Sequence, residues 1–286
     1  MICNFPLGLA LLALVFLPLR GQEGVPPEPR AEEKDKPSEV ATTGISAVPK
    51  ILWDDTFFIL KSPSRWDRQD WLHAGEGFAV VLGTALLLDT RARDESQRHR
   101  GTETDRVAKQ IQHFGTSYAF LAVGGFWVYG KLAGASNAVD TALDAAEASF
   151  ISGAVLSPLL KTAVGRSRPS DGQGAFHFKP FGGGVSSPSG HTTEAFTLAR
   201  VITEHYPQAW VQGLTYGIAA LVGASRIQQN AHFASDVVSG ALLGTLVGRT
   251  VVRRNQKRRE GPSKVAVSIN ASFGTGYQGA TLSVRF

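Results

Sequence analysis

The chain of 286 residues contains a single cysteine, Cys3, close to its N-terminus. An internal disulfide and a cysteine-based zinc site are therefore excluded. Long hydrophobic runs are also scarce in the body of the chain, where most are about 12 to 17 residues and a bilayer needs roughly 18 to 20. The mean hydropathy of −0.03 agrees with this shortage. These absences favour a buried helical bundle over a set of membrane spans.

Positive charge is only mildly in excess over negative charge. The chain has 29 Lys and Arg against 24 Asp and Glu, which gives a formal net charge of +5. Because the excess is spread along the chain, it lacks the concentrated basic face that is typical of nucleic-acid binding. We therefore expect no nucleic-acid partner. The mild basic excess suits anionic partners, with a phosphorylated small molecule and an anionic membrane surface as candidates.

The N-terminal segment contains an apolar run from residue 5 to residue 19, followed by Arg20 and Gly21. Residues 1–21 are predicted to be a signal peptide, with a membrane anchor as the alternative because no basic residue precedes the run. Residues 22–50 are rich in Pro, Glu, Lys and Ser, and are predicted to be a disordered tether. We expect an exported protein that is periplasmic or membrane-associated, without six membrane crossings.

Apolar segments rich in Gly and Ala follow, and their composition is typical of closely packed helices. The six segments span residues 76–89, 117–130, 143–160, 192–205, 209–224 and 236–252. The fourth carries Glu194, Arg200 and Glu204, which disfavours a lipid-facing helix. The sequence thus predicts an all-α fold, with a six-helix bundle over residues 51–260.

The C-terminal residues change pattern. Residues 265–273 and 282–286 alternate apolar and polar side chains, with GTGYQG between them. This pattern predicts a β-hairpin over residues 261–286, docked on the bundle. Just before it lies a group of basic residues, for which we expect a solvated helix end, with contact to anionic lipid as the alternative. The group consists of Arg253, Arg254, Lys257, Arg258 and Arg259.

Polar residues interrupt the apolar pattern in two stretches near the middle of the chain. The stretch KTAVGRSRP holds Lys161 and Arg168 at the end of the third predicted helix. The stretch SSPSGH holds Ser189, Gly190 and His191 at the start of the fourth. Lys and Arg cations, a hydroxyl and a helix N-terminal amide are all donors to phosphate oxygens.

A third polar stretch, GASRIQQNAHFASDVVSG, places Arg226, His232 and Asp236 among small apolar residues. His232 and Asp236 are four residues apart, so they would face each other on a helix, where the carboxylate could hold the imidazole. A satisfied ion pair and ordinary helix-end charges remain alternatives for any one stretch taken alone. Taken together, the three stretches favour helix ends that converge on a bound oxyanion.

The three stretches resemble the type 2 phosphatidic acid phosphatase superfamily, which includes bacterial acid phosphatases, lipid phosphate phosphatases and vanadium haloperoxidases. The family pattern is Lys, six residues and Arg-Pro, then Pro-Ser-Gly-His, then Ser-Arg, five residues, His, three residues and Asp. This chain matches that pattern without a departure. The resemblance covers about residues 55–252 and implies the helical fold of the family.

The resemblance also implies a role for each motif residue. His232 would be the nucleophile, Asp236 would orient it, and His191 would protonate the leaving alcohol. The phosphate would be bound by Lys161, Arg168, Ser189, Gly190 and Arg226. Much of the catalysis would be charge stabilisation by fixed cations and amides. Neither a metal nor another cofactor is expected.

The expected function is metal-independent hydrolysis of phosphate monoesters or lipid phosphates through a phosphohistidine. The alternatives are a vanadate-dependent haloperoxidase and a non-catalytic, membrane-associated phospholipid-binding module. The motifs do not choose between soluble and lipid substrates. Phe176, Phe178 and Phe181, which stand between two of the motifs, could shape an apolar rim or could simply pack.

Overall fold

The computed structural model describes residues 48–260 and the backbone of residues 266–274 and 277–285. The predicted signal peptide or anchor, residues 1–21, lies outside the described residues. So does the predicted tether, residues 22–50, except for its last three residues. Helix α1 begins at Val48, so these three residues are helical.

The described part of the chain forms ten α-helices. They are α1 Val48–Leu60, α2 Arg68–Leu87, α3 Asp89–Arg98, α4 Thr102–Ile111, α5 Ser117–Ala133, α6 Ser136–Ser149, α7 Ser157–Val164, α8 Gly190–His205, α9 Ala209–Gln228 and α10 Ala234–Glu260. A π-helical turn, Phe150–Leu156, joins α6 and α7 into one continuous segment. Short 3-10 turns lie at Ser62–Arg65, Gln112–Gly115 and Pro169–Asp171.

The all-α prediction is confirmed for the bundle, and each of the six predicted segments lies largely within a helix. The count of six is not confirmed, because α1, α3 and α4 add to it. Helices α3 and α4 were missed because their sequences, DTRARDESQR and TETDRVAKQI, are polar. A search for apolar runs cannot detect helices of this kind.

A two-stranded antiparallel sheet lies near the C-terminus. Strand β1, Ala266–Gly274, pairs with β2, Tyr277–Arg285. The register places Ala266 opposite Arg285 and Gly274 opposite Tyr277. Docking of this pair on the bundle stays a prediction, since residues 261–265 lie outside the described residues.

Helix α8 lies between two apolar clusters and forms the centre of the bundle. One cluster contains Leu198 and Val201 of α8 and Val251 of α10. The other contains Phe196 of α8 and Val222 of α9. Because both sides of α8 are packed, its N-terminal end has a fixed position relative to α9 and α10.

Helices α8 and α10 approach each other closely along glycines of α10. Gly240, Gly244 and Gly248 are spaced four apart and therefore share one face. A Cβ at Gly244 would lie 2.3 Å from the carbonyl oxygen of Thr193, and one at Gly240 would lie 2.7 Å from that of Ser189. No side chain fits at either distance. The glycines therefore permit the contact that brings the first turns of α8 and α10 together.

Helix α1 is fixed to the far end of α10 by Asp55, which is fully buried. Arg254 Nε and Arg258 Nη1 each donate to the Asp55 carboxylate at 2.7 Å. Arg259 donates to Asp144 of α6 at 3.1 Å. Three of the five basic residues predicted to form a solvated helix end are therefore paired with carboxylates. These carboxylates are more than 100 residues away in the chain, so the pairing could not be predicted from the sequence.

The bundle exposes large apolar side chains, among them Phe120 at 69 % and Leu132 at 84 %. Two segments, Ser136–Val164 and Ala234–Glu260, are long and apolar enough to cross a membrane, and α2 with α3 would add a third if that bent pair is one span. These features support membrane association. The apolar runs looked too short in the sequence because polar residues such as Asp144, which is paired inside the bundle, interrupt them.

We predict that Gly244→Ala destabilises the fold by roughly 1–3 kcal/mol, because the added methyl would overpack the contact between α8 and α10. Gly213→Ala in α9 is the matched control, since nothing lies within 4 Å of its Cβ position. There the stability should stay the same or rise, because Ala is the better helix former. Thermal unfolding of the purified protein measures both changes, and equal unfolding temperatures would contradict the close contact.

Candidate active site

The three motif stretches lie at one end of the bundle. Lys161 is in the last turn of α7, Ser189 is the N-cap residue of α8, and His191 is in the first turn of α8. Arg226 is in the last turn of α9 and Asp236 is in the first turn of α10. Four helix ends therefore supply the predicted site residues.

Hydrogen bonds hold the second motif between the other two. Lys161 Nζ donates to the carbonyl oxygens of Pro188 and Val185, each at 2.7 Å. The backbone N–H of Ser189 donates to the carbonyl oxygen of Asp236 at 2.9 Å. The turn that precedes α8 is thus bonded to α7 on one side and to α10 on the other.

Gly190 faces two polar groups of α7. A Cβ at Gly190 would lie 3.8 Å from Ser157 Oγ and 4.0 Å from Lys161 Cε. Ser157 is one helical turn before Lys161, and its buried hydroxyl has no hydrogen-bond partner within the described residues. Ser157 lies outside the three motifs and was not predicted as a site residue. Its hydroxyl is available to an oxyanion or to a water molecule.

Arg168 and Ser189 are the remaining predicted phosphate ligands. Arg168 follows α7, is half-buried, and donates its backbone N–H to Asp171 Oδ2 at 2.8 Å. Ser189 is fully buried, and its Oγ accepts a hydrogen bond from Thr192 Oγ1 at 2.9 Å. The Ser189 hydroxyl thus keeps its own proton free for donation.

Both histidines lie in the field of the same three cations. Burial, followed by the charges of Arg226, Lys161 and Arg168, lowers the pKa of His191 to about 4. Burial and the same cations hold the pKa of His232 well below its ordinary value. Both imidazoles are therefore neutral in the empty site near neutral pH. A neutral imidazole can act as a nucleophile or a base.

The carboxylate of Asp236 is occupied by groups other than the predicted one. Its Oδ1 accepts from Arg166 Nη1 at 2.6 Å. Its Oδ2 accepts from Ser186 Oγ at 2.6 Å and from the backbone N–H of Phe233 at 2.9 Å. Nδ1 of His232 lies 3.9 Å from Oδ2, which is beyond hydrogen-bond distance.

His232 and Asp236 lie within ion-pair distance, as predicted, but without a direct hydrogen bond. The prediction that one helix carries both residues is wrong. His232 precedes α10, which begins at Ala234. It lies in the turn after α9, where its backbone N–H is 3.3 Å from the carbonyl oxygen of Arg226 and Asn230 has a φ of 56°. The four-residue spacing predicted that both residues lie on one helix. In the structure His232 lies in the turn and only Asp236 lies on α10.

Arg166 stands in the first motif stretch, but no role was predicted for it. It is 2 % exposed and bridges two fully buried carboxylates. Nη1 donates to Asp236 and Nη2 donates to Asp89, both at 2.6 Å. Its guanidinium lies 4.4 Å from the ring centroid of Phe233. A third basic residue was visible in this stretch of the sequence, but only the neighbouring Arg168 belongs to the family pattern.

Asp89, the first residue of α3, completes this network. Its Oδ1 accepts the backbone N–H of Ser235 at 2.8 Å, and its Oδ2 accepts the Ser235 hydroxyl at 2.7 Å. Asp89 was expected only to end the first apolar segment. Its partner is 146 residues away, so no local pattern could have indicated the contact.

The 3-10 turn that begins at Gln112 contacts two of the motifs. Arg226 Nη1 donates to the side-chain oxygens of Gln112 and of Gln229. A Cβ at Gly115 would lie 2.5 Å from the carbonyl oxygen of His191, so the turn packs directly against the first turn of α8. This turn lies outside the three motifs, and its contact with the site was not predicted from the sequence.

We predict that Asp89→Asn destabilises the protein by roughly 3 kcal/mol, because the substitution leaves the buried Arg166 with one carboxylate in place of two. Activity should fall with it, since Asp236 would lose its fixed position. Asp94→Asn on the same helix is the matched control, because Asp94 is exposed where it pairs with Arg93. This substitution should change stability by less than about 0.5 kcal/mol. Chemical unfolding measures the free energy of unfolding of both variants. An equal loss of stability in the two would contradict the structural role of the Asp89–Arg166 pair.

We also predict that anion binding at pH 6 is accompanied by proton uptake. With its pKa at about 4, His191 is neutral at that pH in the empty site. A bound dianion offsets the neighbouring cations and raises this pKa, so the imidazole takes up a proton. Calorimetry with sulfate in buffers of different ionisation enthalpy measures the uptake. It should fall in His191→Asn, and an unchanged proton count in that variant would contradict the assignment.

The described residues contain no group of three or more His, Cys, Asp or Glu that could hold a metal ion. They do bring together three cations, a helix N-terminus, the buried His232 and the half-buried His191. This arrangement, at one end of a helical bundle, offers positive charge and hydrogen-bond donors that suit a tetrahedral oxyanion.

The family model described as the PAP2 superfamily matches residues 142–260. This segment contains all three motifs, and it belongs to the PAP2 superfamily. The resemblance inferred from the motifs is thereby confirmed.

Curated relatives match the chain over short segments. The lipid A 1-phosphatase of Porphyromonas gingivalis is 41 % identical over 90 residues, which is 31 % of this chain and 18 % of that protein. The lipid A 1-phosphatase of Rhizobium etli is 35 % identical over 95 residues, which is 32 % of this chain and 40 % of that protein. The chain thus spans less than half the length of these relatives.

Two solved structures are similar to the chain. A transmembrane PAP2-type phosphatidylglycerolphosphate phosphatase from Bacillus subtilis has a TM-score of 0.47 and 24 % identity, and the match covers 65 % of this chain and 98 % of that one. Aquifex aeolicus LpxE has a TM-score of 0.45 and 22 % identity, and that match covers 58 % of this chain and 95 % of the other.

Proposed function

We propose that the protein is a phosphoric ester hydrolase that removes phosphate from lipid phosphates by way of a phosphohistidine. The observation that carries the proposal is the placement of two neutral histidines, the buried His232 and the half-buried His191, beside a cluster of three cations. The cations are Lys161, Arg168 and Arg226. The relatives named lipid A 1-phosphatase support a lipid substrate. The apolar exterior of the bundle supports it as well, because it brings the site close to lipid.

In the proposed reaction a ring nitrogen of His232 attacks the phosphorus, and the bond from phosphorus to the alcohol oxygen breaks. His191, protonated once the phosphate is bound, gives its proton to the leaving oxygen. His191 then takes a proton from a water molecule that attacks the phosphohistidine. This second step releases inorganic phosphate and restores neutral His232.

Charge that develops on the phosphoryl oxygens is stabilised by fixed groups. Lys161 and Arg226 are held in place by carbonyl and amide oxygens, so they need little reorganisation when the substrate binds. The amide of Gly190 at the N-terminus of α8 and the free hydroxyl of Ser157 add neutral donors. None of these groups requires a metal ion for its role.

Asp236 acts on the nucleophile through the backbone in this proposal. Its carboxylate accepts the N–H of Phe233, the residue that follows His232. The same carboxylate lies 3.9 Å from the His232 ring. Asp236 thus fixes the turn that carries the nucleophile, and its charge stabilises the imidazolium that forms during transfer.

We propose that the site opens on the outer face of the membrane. Asp236 and Arg254 are 18 residues apart on α10, a rise of about 27 Å. This rise is close to the roughly 30 Å of a bilayer core. Arg253 and Lys257 are exposed at the far end of the helix, and basic residues favour the cytoplasmic side.

We predict that His232→Asn abolishes phosphoenzyme formation on every substrate, because the attacking nitrogen is lost. His191→Asn removes only proton transfer, which is worth about 10²- to 10⁴-fold. With p-nitrophenyl phosphate, whose leaving group departs without a proton, phosphorylation of His191→Asn should be nearly normal. Hydrolysis should then stall, so a burst and a trapped phosphohistidine are expected in single-turnover experiments.

His99 provides the matched control, because it is exposed and follows the last residue of α3. His99→Asn should leave phosphorylation and hydrolysis of the phosphohistidine unchanged. Equal loss by His191→Asn on alkyl and nitrophenyl esters, without a trapped intermediate, would overturn the roles of the two histidines. Turnover of p-nitrophenyl phosphate with no turnover of any lipid phosphate would overturn the substrate class alone.

A further inference from the structure

The loop beside the phosphate pocket, residues 174–185, exposes four apolar side chains. They are Phe176, Phe178, Phe181 and Val185, which are 56 %, 47 %, 79 % and 45 % exposed. Large apolar side chains that cluster on a surface loop mark a surface that contacts lipid or another apolar partner. We call residues 174–185 the rim loop.

The rim loop is bonded directly to the helix that carries the phosphate-binding lysine. The backbone N–H of Phe181 donates to the carbonyl oxygen of Thr162 at 2.8 Å. Lys161 Nζ donates to the carbonyl oxygen of Val185 at 2.7 Å. The backbone of the rim loop is therefore held against the last turn of α7, which carries Lys161.

The position of the rim loop along the bundle indicates what it contacts. Thr162 lies near the end of Ser136–Val164, one of the segments long and apolar enough to cross a membrane. Leu159 and Leu160 on the last turns of this segment are also exposed, at 51 % and 38 %. The end of a membrane-spanning helix lies at the boundary between hydrocarbon and water, so the rim loop lies at that depth.

Neither backbone preference nor packing accounts for a phenylalanine at position 181. Its φ of 59° lies in the left-handed region, which favours Gly or Asn and disfavours bulky residues. Its side chain is 79 % exposed, so it contributes little to the core of the bundle. A contact outside the protein is the remaining physical reason for a large apolar side chain there.

We propose that the rim loop inserts Phe176 and Phe181 into the lipid leaflet on the site side, against the acyl chains of the lipid phosphate and its neighbours. The proposal rests on the lipid-phosphatase function given above. It explains how the phosphate can reach Lys161 while the chains stay in hydrocarbon. Lys179, exposed on the same loop, lies where it can meet anionic headgroups.

Substitutions at Phe181 separate apolarity from backbone conformation. Phe181→Asn removes the apolar surface but suits the left-handed conformation, whereas Phe181→Leu keeps the apolar surface and the strain. With phosphatidate in phosphatidylcholine vesicles, we expect Phe181→Asn to lower kcat/KM about tenfold. Phe181→Leu should retain most of the activity. With p-nitrophenyl phosphate, which needs no contact with the leaflet, both variants should stay within about twofold of the wild type.

Equal loss on the soluble and the vesicle substrate would overturn the proposal, because it would show damage to the pocket itself. Unchanged hydrolysis of vesicle phosphatidate by Phe181→Asn would overturn it too. The double variant Phe176→Ser with Phe181→Asn should show a larger loss on vesicles only.

A second measurement decides the proposal even if no lipid phosphate is hydrolysed. The chain's single cysteine, Cys3, is replaced by Ser, and an environment-sensitive fluorophore is attached to Phe181→Cys or, as the control, to Gln173→Cys. Gln173 is also exposed and lies outside the rim loop. In phosphatidylcholine–phosphatidylglycerol vesicles, doxyl-labelled lipid should quench the label at 181 strongly and the label at 173 weakly. Equal quenching at both positions would overturn insertion, whereas failure of lipid hydrolysis alone would count only against the proposed function.

Discussion

The buried guanidinium of Arg166 between Asp89 and Asp236 is the interaction on which the rest of the site depends. Removing three charged groups from water is costly, and here the cost is offset only because every one of them has close, well-directed partners. The bridge ties the start of α3, the loop after α7 and the first turn of α10 to one another. Each of these elements carries or supports a motif, so the bridge sets the relative positions of the groups that would bind and transfer phosphate.

Close helix packing makes this arrangement rigid. Glycines on α10 let it approach the backbone of α8, and the same contact bonds the N-cap residue Ser189 to the carbonyl oxygen of Asp236. Apolar clusters on both sides of α8 prevent it from shifting. Fixed donors are effective in catalysis because they need no reorganisation as charge develops. The bundle thus provides the rigidity that an oxyanion site of this kind requires.

The two ends of the bundle differ in chemistry, and the difference suits a protein held at a membrane. One end gathers cations around neutral histidines, with the apolar rim loop beside them. At the other end, Asp55 pairs with Arg254 and Arg258 and attaches α1, while Arg253 and Lys257 remain exposed. Between them lies an apolar exterior. This polarity supports the proposal that the site lies at a membrane boundary, where a lipid headgroup would be accessible while its chains stay in the bilayer.

The sequence by itself determined the helical class, the family and the identity of the motif residues, because helical periodicity and short motifs are local properties of the chain. It did not determine the polar helices α3 and α4, nor the bridge from Asp89 to Arg166, since these depend on partners far away in the chain. Only the tertiary structure decided that His232 lies in a turn and not on α10, 3.9 Å from the Asp236 carboxylate. Spacing predicts a contact only while both residues stay in one regular element, and here the chain turns between them.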